Sequence, residues 1–233
     1  MKVNIWSDVR CPFCYIGKRK FEMALEKFSH KDKVEVEWHS FQLDPHLKTT
    51  TEVNAIDHIS EIKGISHDQA VQMHQHVTQV ANEVGLNFEF DKVIVANSFN
   101  AHRLIQLAKN RGLGSEIEEQ LFKAHFIEGK NIDDNEVLVS TGISVGLSEK
   151  EIKQVLFSDA FSEEVKQDEM KAQSIGVRGV PFFVLNDKYA VSGAQSPETF
   201  LEVLEQTWTD YEKENKTFIT TEVDSCSTDG SCN

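Results

Sequence analysis

Val3-Asn4-Ile5-Trp6-Ser7-Asp8-Val9-Arg10-Cys11-Pro12-Phe13-Cys14 joins an apolar strand-like run to two cysteines three residues apart. The run at 3–6 has strand character, and the residues after Cys11 have helical periodicity. Phe21, Ala24, Leu25 and Phe28 recur at i, i+3, i+4 and i+7, the apolar stripe of a helix packed on a sheet, with an expected stop near Ser29. Val34, Val36 and Trp38 then alternate with Glu35 and Glu37, the period-two pattern of a strand that continues irregularly through Phe41 and Leu43. Strand, helix, strand in this order predicts a parallel pair with a right-handed crossover.

The cysteines fall on the first turn of that helix. Residues i and i+3 share a helix face, so the two sulfurs can close and open a disulfide without refolding the chain. Cys11 at the helix N-terminus meets unpaired backbone N–H groups and the positive end of the macrodipole, so its thiolate is expected to be stabilised, which makes it the nucleophile. Pro12 suits the first helical position, where its missing N–H leaves nothing unpaired. Cys14, one turn deeper, is the expected resolving thiol. Half a zinc site or a structural disulfide would use the same spacing, but no second C-x-x-C or C/H-x-x-H unit occurs in the 233 residues. No metal is expected at the pair.

The chain is long enough for one domain with an insertion or for two small lobes. Its formal net charge of -14 argues against a nucleic-acid surface, which needs clustered Lys and Arg. Cysteine-containing proteins or small thiols are the expected partners, and no cofactor is expected beyond the redox-active disulfide and a low-molecular-weight thiol as co-substrate. No segment reads as a membrane span or a cleavable signal, and four cysteines in a long chain read as catalytic or redox-sensing rather than as a scaffold. These features place the expected location in the cytoplasm, with no membrane partner.

Residues 49–176 change character. Helices are expected over 68–84, 99–111, 117–127, 135–147 and 149–157, with Gly112 and Gly114 as punctuation and one short strand-like stretch at 88–95. Phe161, Val165, Ala172 and Ile175 suggest a helix leading back. His67, His74 and His76, and the acidic runs Glu116, Glu118, Glu119 and Glu163, Glu164, read as solvated helix surface. Strands then resume at 180–185 and 189–192, joined by Asn186-Asp187, which tolerates the positive φ of a tight hairpin. Ser196 caps a last helix with Pro197 at its first position and Leu201, Leu204, Trp208 and Tyr211 as its stripe. This gives an α/β chain with lobes at 1–48 plus 177–214 and at 49–176, and a tail at 215–233.

Trp6-Ser7-Asp8-Val9-Arg10-Cys11-Pro12-Phe13-Cys14-Tyr15-Ile16-Gly17, Ala101-His102-Arg103-Leu104, Gly179-Val180-Pro181-Phe182-Phe183 and Val191-Ser192-Gly193-Ala194-Gln195 together resemble the FrnE-type branch of DsbA-family thiol-disulfide oxidoreductases. That branch is related to 2-hydroxychromene-2-carboxylate isomerases and kappa-class glutathione transferases. The resemblance spans nearly the whole chain except the tail and implies a thioredoxin-like fold with a long, mainly α-helical insertion. It implies that Val180-Pro181 is cis and faces the cysteines, so that the Val180 backbone pairs with an extended substrate held beside Pro12 and Phe13. His102 either lines the cleft and tunes Cys11 through its charge or is a structural helix-face residue. Gln195 and Ser196 either contact the γ-glutamyl end of a small thiol through backbone N–H groups or form a plain cap.

Cys226 and Cys232 form a second pair in the tail. A flexible chain from Glu214 has a root-mean-square reach of about 20 Å, enough to visit Cys11. The pair is thus a candidate redox relay, alongside incidental thiols or a four-cysteine zinc site with the first pair. Three functions compete: a dithiol oxidoreductase; a glutathione-dependent isomerase or transferase, whose kappa-like members usually carry Ser at the position of Cys11; and a non-catalytic peptide-binding holdase.

Overall fold

The computed structural model describes residues 1–214. β1 (Lys2–Ser7) leads into α1 (Pro12–Lys27) and returns as β2 (Glu35–Ser40), paired in parallel with β1 from Lys2 against Glu35 to Ser7 against Ser40. After the insertion, β5 (Phe182–Leu185) lies antiparallel on the other side of β1, and β6 (Tyr189–Ser192) closes the edge, giving the order β2-β1-β5-β6. Asn186 and Asp187 form the β5–β6 turn at φ 50° and 53°, the left-handed pair that a two-residue hairpin needs. α9 (Pro197–Glu214) starts as expected, with Thr199 N–H donating to Ser196 Oγ at 3.2 Å.

The alternation of β1 divides its side chains between two layers. Val3 and Ile5 pack with Phe21 and Ala24 of α1, Phe183 and Leu185 of β5, and Phe200, Leu204 and Trp208 of α9. Trp6 points the other way, against Ala172 and Val177.

The insertion contains β3 (Thr50–Asn54), α2 (Ala55–Lys63), α3 (His67–Asn82), β4 (Ile94–Val95), α4 (Phe99–Lys109), α5 (Gly114–Phe126), α6 (Asn135–Ser144), α7 (Glu149–Leu156) and α8 (Ser162–Ser174). It is mainly helical, but β3 and β4 pair antiparallel as a small second sheet. Neither β3 nor α2 was expected. β3 buries little on either face and so carries no alternation, while α2 depends on its ends, with Asn54 accepting from Asp57 N–H and Gly64 closing it at φ 62°.

Gly112 breaks the chain at φ 71° as expected, but Gly114 opens α5 instead of interrupting the approach to it. Its core runs through Leu104, Ile105, Ile117, Leu121, Phe122, Phe126, Leu138 and Ile152. That same core takes in Val9, Cys11, Cys14, Tyr15 and Ile16, so the start of α1 is packed into the insertion while its end is packed on the sheet.

α8 belongs to the insertion by sequence and packs on its α4, but it also packs on the main sheet. Ala172 lies on Trp6, whose indole donates to Asp168 O at 3.0 Å. Asp168 accepts from Ser40 N–H and Gln106 and contacts His39 at 2.6 Å. α8 is therefore the layer on the sheet face opposite α1 and α9.

Candidate active site

Cys11 is the N-cap residue of α1, with extended φ and ψ of -90° and 111°, and Pro12 occupies the first turn. The backbone around the pair is fixed by local bonds: Cys11 N–H donates to Asp8 O at 2.8 Å and Cys14 N–H to Cys11 O at 3.0 Å. Both thiols are free. Cys11 is 6 % exposed and Cys14 1 %, so a reagent arriving from solvent meets Cys11 first. Burial, together with the neighbouring Cys11 sulfur, pushes the Cys14 thiol well up. Phe13 stands out at 40 % exposure beside them, and Pro12 is half-buried.

The Val180-Pro181 bond is cis, and Val180 O lies 3.5 Å from Cys11 Sγ. The loop is anchored by Gly193 N–H donating to Pro181 O at 2.8 Å. It approaches α1 at Gly17, where an added Cβ would meet Pro181 Cγ at 2.9 Å and Ala194 Cα at 3.6 Å. A side chain at 17 would push the proline loop away from the cysteines, which gives this position a steric reason for glycine.

Asp8 holds the floor of the site. It is completely buried; its Oδ1 accepts from Arg10 N–H at 3.1 Å and its Oδ2 from Leu43 N–H at 2.8 Å. His102 Nε2 stands 3.5 Å from Asp8 Oδ1 as the opposite charge. Burial works to raise the Asp8 carboxyl and to lower His102, but their mutual attraction outweighs it, so Asp8 is held below its ordinary value and His102 above. His102 is fully buried, which fits the structural helix-face alternative and not the one in which it lines the cleft. It faces the back of the active-site loop and touches nothing that arrives from solvent. Its neighbour Arg103 donates to the carbonyls of Ala160, Val155 and Ser158, tying the end of α7 to α4.

The reading of the acidic run on α5 as solvated surface fails for two of its three members. Glu118 is 1 % exposed, and burial pushes its carboxyl up to about 7. Glu119 accepts from Tyr15 OH at 2.6 Å, from Lys18 at 2.8 Å and from Arg19. Burial opposes its ionisation, but these donors hold it at about 2. Only Glu116 is exposed. A signal was available: Glu118 and His125 are seven residues apart on a helix whose same face carries Leu121 and Phe122, an apolar stripe with charges in it.

Gln195 is exposed; its side chain donates to Ser192 O at 2.9 Å and its backbone N–H is taken by Gly193 O at 3.0 Å. The N–H expected to meet a small thiol is thus engaged within its own loop. Cys226 and Cys232 lie outside the described residues.

Residues 2–205 match the DSBA-like thioredoxin domain. The chain belongs to that family. A probable DsbA oxidoreductase from Streptomyces coelicolor, SCO1869, is 35 % identical, with a TM-score of 0.86 over 100 % of this chain and 98 % of its own. The uncharacterized protein YwbO of Bacillus subtilis is 27 % identical over 85 % of this chain and 92 % of its own length. The cytosolic disulfide reductase DsbM of Pseudomonas aeruginosa, solved with GSH, shares the fold at 17 % identity, with a TM-score of 0.64 over 90 % of this chain and 100 % of its own. In this DsbA-like chain the helix that carries Cys11 and Cys14, the cis-proline loop and the four-stranded sheet stand together. No helix among the described residues is long and apolar enough to cross a membrane.

Proposed function

We propose that this chain exchanges disulfides with cysteine-containing proteins or small thiols through Cys11 and Cys14, with Cys11 as the attacking sulfur. The observation that carries the reading is the unequal placement of two free thiols on one turn of α1, the outer at the helix N-terminus beside Val180 O and the inner beneath it. In the reducing direction the Cys11 thiolate attacks one sulfur of a substrate disulfide, and the other leaves as a thiolate carrying the electron pair. Cys14 then attacks Cys11 Sγ, releases the second substrate sulfur and gives up its proton, leaving the Cys11–Cys14 disulfide and a reduced substrate. The oxidising direction is the reverse.

Phe13, Pro12 and the Val180 backbone form the docking edge, where an extended segment adds to the loop through main-chain bonds. Gln195, on the loop that follows β6, would have to give up its bonds to Ser192 O or Gly193 O to meet a co-substrate thiol. No bound cofactor is needed, because the dithiol itself carries the electrons. The cytosolic disulfide reductase of the same fold supports a cytoplasmic location. The second thiol separates this reading from a glutathione-dependent isomerase, which needs one nucleophile and no resolving partner.

Insulin reduction and reoxidation of reduced ribonuclease, compared between the wild type and Cys11→Ser, test the proposal. Loss of both activities in the variant is expected, and activity that survives the substitution overturns it.

A further inference from the structure

The sequence holds 38 Asp and Glu against 24 Lys and Arg, so an arginine left unpaired is not short of partners. Arg19 is held by Glu22 and Glu119, Arg103 by three backbone carbonyls and Arg111 by Glu151. Arg10 and Arg178 make no ion pair and no side-chain hydrogen bond among the described residues. These two are the arginines that flank the active site. Arg10 directly precedes Cys11, and Arg178 stands two residues before Val180, whose carbonyl lies 3.5 Å from Cys11 Sγ. Arg10 is thus rooted about 3.8 Å from the Cys11 Cα, and Arg178 no more than about 7 Å from that of Val180.

Arg178 is exposed. Arg10 is half-buried, and its Nη1 is shut off from solvent with nothing to donate to. A charged donor in that state is destabilising, and at the edge of a reactive site it points to an acceptor that arrives with the substrate. The carboxylates of the neighbouring loops are engaged elsewhere. Asp8 accepts from the N–H groups of Arg10 and Leu43 and faces His102, and Asp44 accepts from His46 N–H at 3.0 Å. The charge of Arg10 is felt on α2, where it joins burial in holding His58 below its ordinary value. Lys20 adds a third cation, its ammonium on Ala194 O at 3.3 Å beyond the proline loop.

We propose that the site selects disulfide substrates whose reacting cysteine lies in an acidic peptide segment, with Arg10 and Arg178 pairing to carboxylates within two residues of that cysteine. The inference rests on the oxidoreductase reading above and deepens it by naming the substrate class. An extended segment added along the Val180 backbone rises ~3.3 Å per residue, so the residues next to its cysteine fall over the two loops that carry the arginines. The planar guanidinium suits a carboxylate, to which it donates two parallel N–H bonds. At long range the net charge of -14 repels an acidic partner, but at physiological salt that repulsion is screened beyond about 8 Å. The two arginines therefore act as a local filter and not as a steering field.

The probes are short peptides with one central cysteine carried as its 2-pyridyl disulfide and flanked on both sides by Glu, Gln or Lys. The Cys11 thiolate of the reduced protein attacks the peptide sulfur, and the bond to the pyridyl sulfur breaks. Pyridine-2-thione leaves with the electron pair and takes a proton from water, so its absorbance reports the docking step. All probes share one leaving group, and comparing them on one protein cancels any change in Cys11 reactivity. The wild type is expected to react roughly tenfold faster with the Glu peptide than with the Gln peptide and slowest with the Lys peptide, the preference shrinking as salt rises. Arg10→Gln and Arg178→Gln are each expected to cut the Glu-to-Gln ratio about threefold, whereas Arg111→Gln, which removes the same charge at an exposed pair, leaves it in place. A ratio near one in the wild type, a ratio unmoved in Arg178→Gln, or an equal loss in Arg111→Gln overturns the proposal. So does a glutathione 2-pyridyl disulfide that reacts as fast as the Glu peptide, which would assign the arginines to a small thiol. Arg178 is exposed, so its variant decides the matter even if Arg10→Gln does not fold. Absence of thione release from every probe with the wild type, or release that survives in Cys11→Ser, would instead overturn the oxidoreductase reading.

Discussion

Cys11 and Cys14 sit one turn apart, and in the proposed exchange their unequal access to solvent sets the order of events. Removing the inner sulfur should stop the reaction halfway. Cys14→Ser is expected to accumulate a covalent adduct between Cys11 and a substrate thiol, visible by intact mass after mixing with a disulfide, and absence of the adduct would remove Cys11 from the attacking role. Gly17 is the second sensitive position. Gly17→Ala is expected to cost about 1–3 kcal/mol, because its Cβ lands 2.9 Å from Pro181 Cγ. A urea midpoint that does not move would show that the proline loop yields freely. The cysteine spacing and Pro12 were legible in the sequence because their chemistry is local, and the Val-Pro segment through the family resemblance alone. Gly17, Asp8 and Glu118 were not, since their importance comes from what the fold brings against them: Pro181 from 164 residues downstream, and His102 from the insertion.

Elements, too, were readable where they bury an apolar face. α1, α4, α9 and the strands of the main sheet carry clear periodicity, while β3 and α2 lie at the surface and are specified by caps and a glycine. What periodicity does not reveal is which helices are tied together. α1 and α5 are joined by Glu119, which receives Tyr15, Lys18 and Arg19 of the dithiol helix. Lys18 is nearly buried and keeps only Glu22 if Glu119 is lost. Glu119→Ala is therefore expected to destabilise the protein by about 2–3 kcal/mol, more than a surface ion pair would. Glu163→Ala, which breaks the exposed Glu163–Lys166 pair, is the control and is expected to change stability by less than about 0.5 kcal/mol. Equal effects in thermal or urea unfolding would show that the clamp is no stronger than any exposed pair.

Over the whole molecule, buried ionisable groups shape stability against pH. Glu118 is raised from 4.5 to about 7, so the folded state holds a proton that the unfolded chain loses earlier. Its contribution falls as pH rises from about 4.5 to about 7, by on the order of 3 kcal/mol. His125 is lowered from 6.5 to about 3, so the folded state resists a proton that the unfolded chain accepts, and stability falls as pH drops from 6.5 toward 3. Glu118→Gln is expected to flatten the fall on the neutral side while leaving the acid side in place. Urea unfolding at about pH 5 and pH 8 checks this, and parallel shifts of the two proteins would contradict it. The sequence reading divides the lobes at 48 and 177, and α8 packs across that division to cover the sheet.

That crossing has a practical corollary for anyone wishing to trim the chain. Excising 49–176 and splicing the remaining halves would strip Trp6, Phe182 and Val184 of their only helical shield among the described residues and leave an aromatic plateau facing water. Such a minimal scaffold should be recovered from inclusion bodies, whereas a shortened version that retains Ser162–Ser174 keeps its roof.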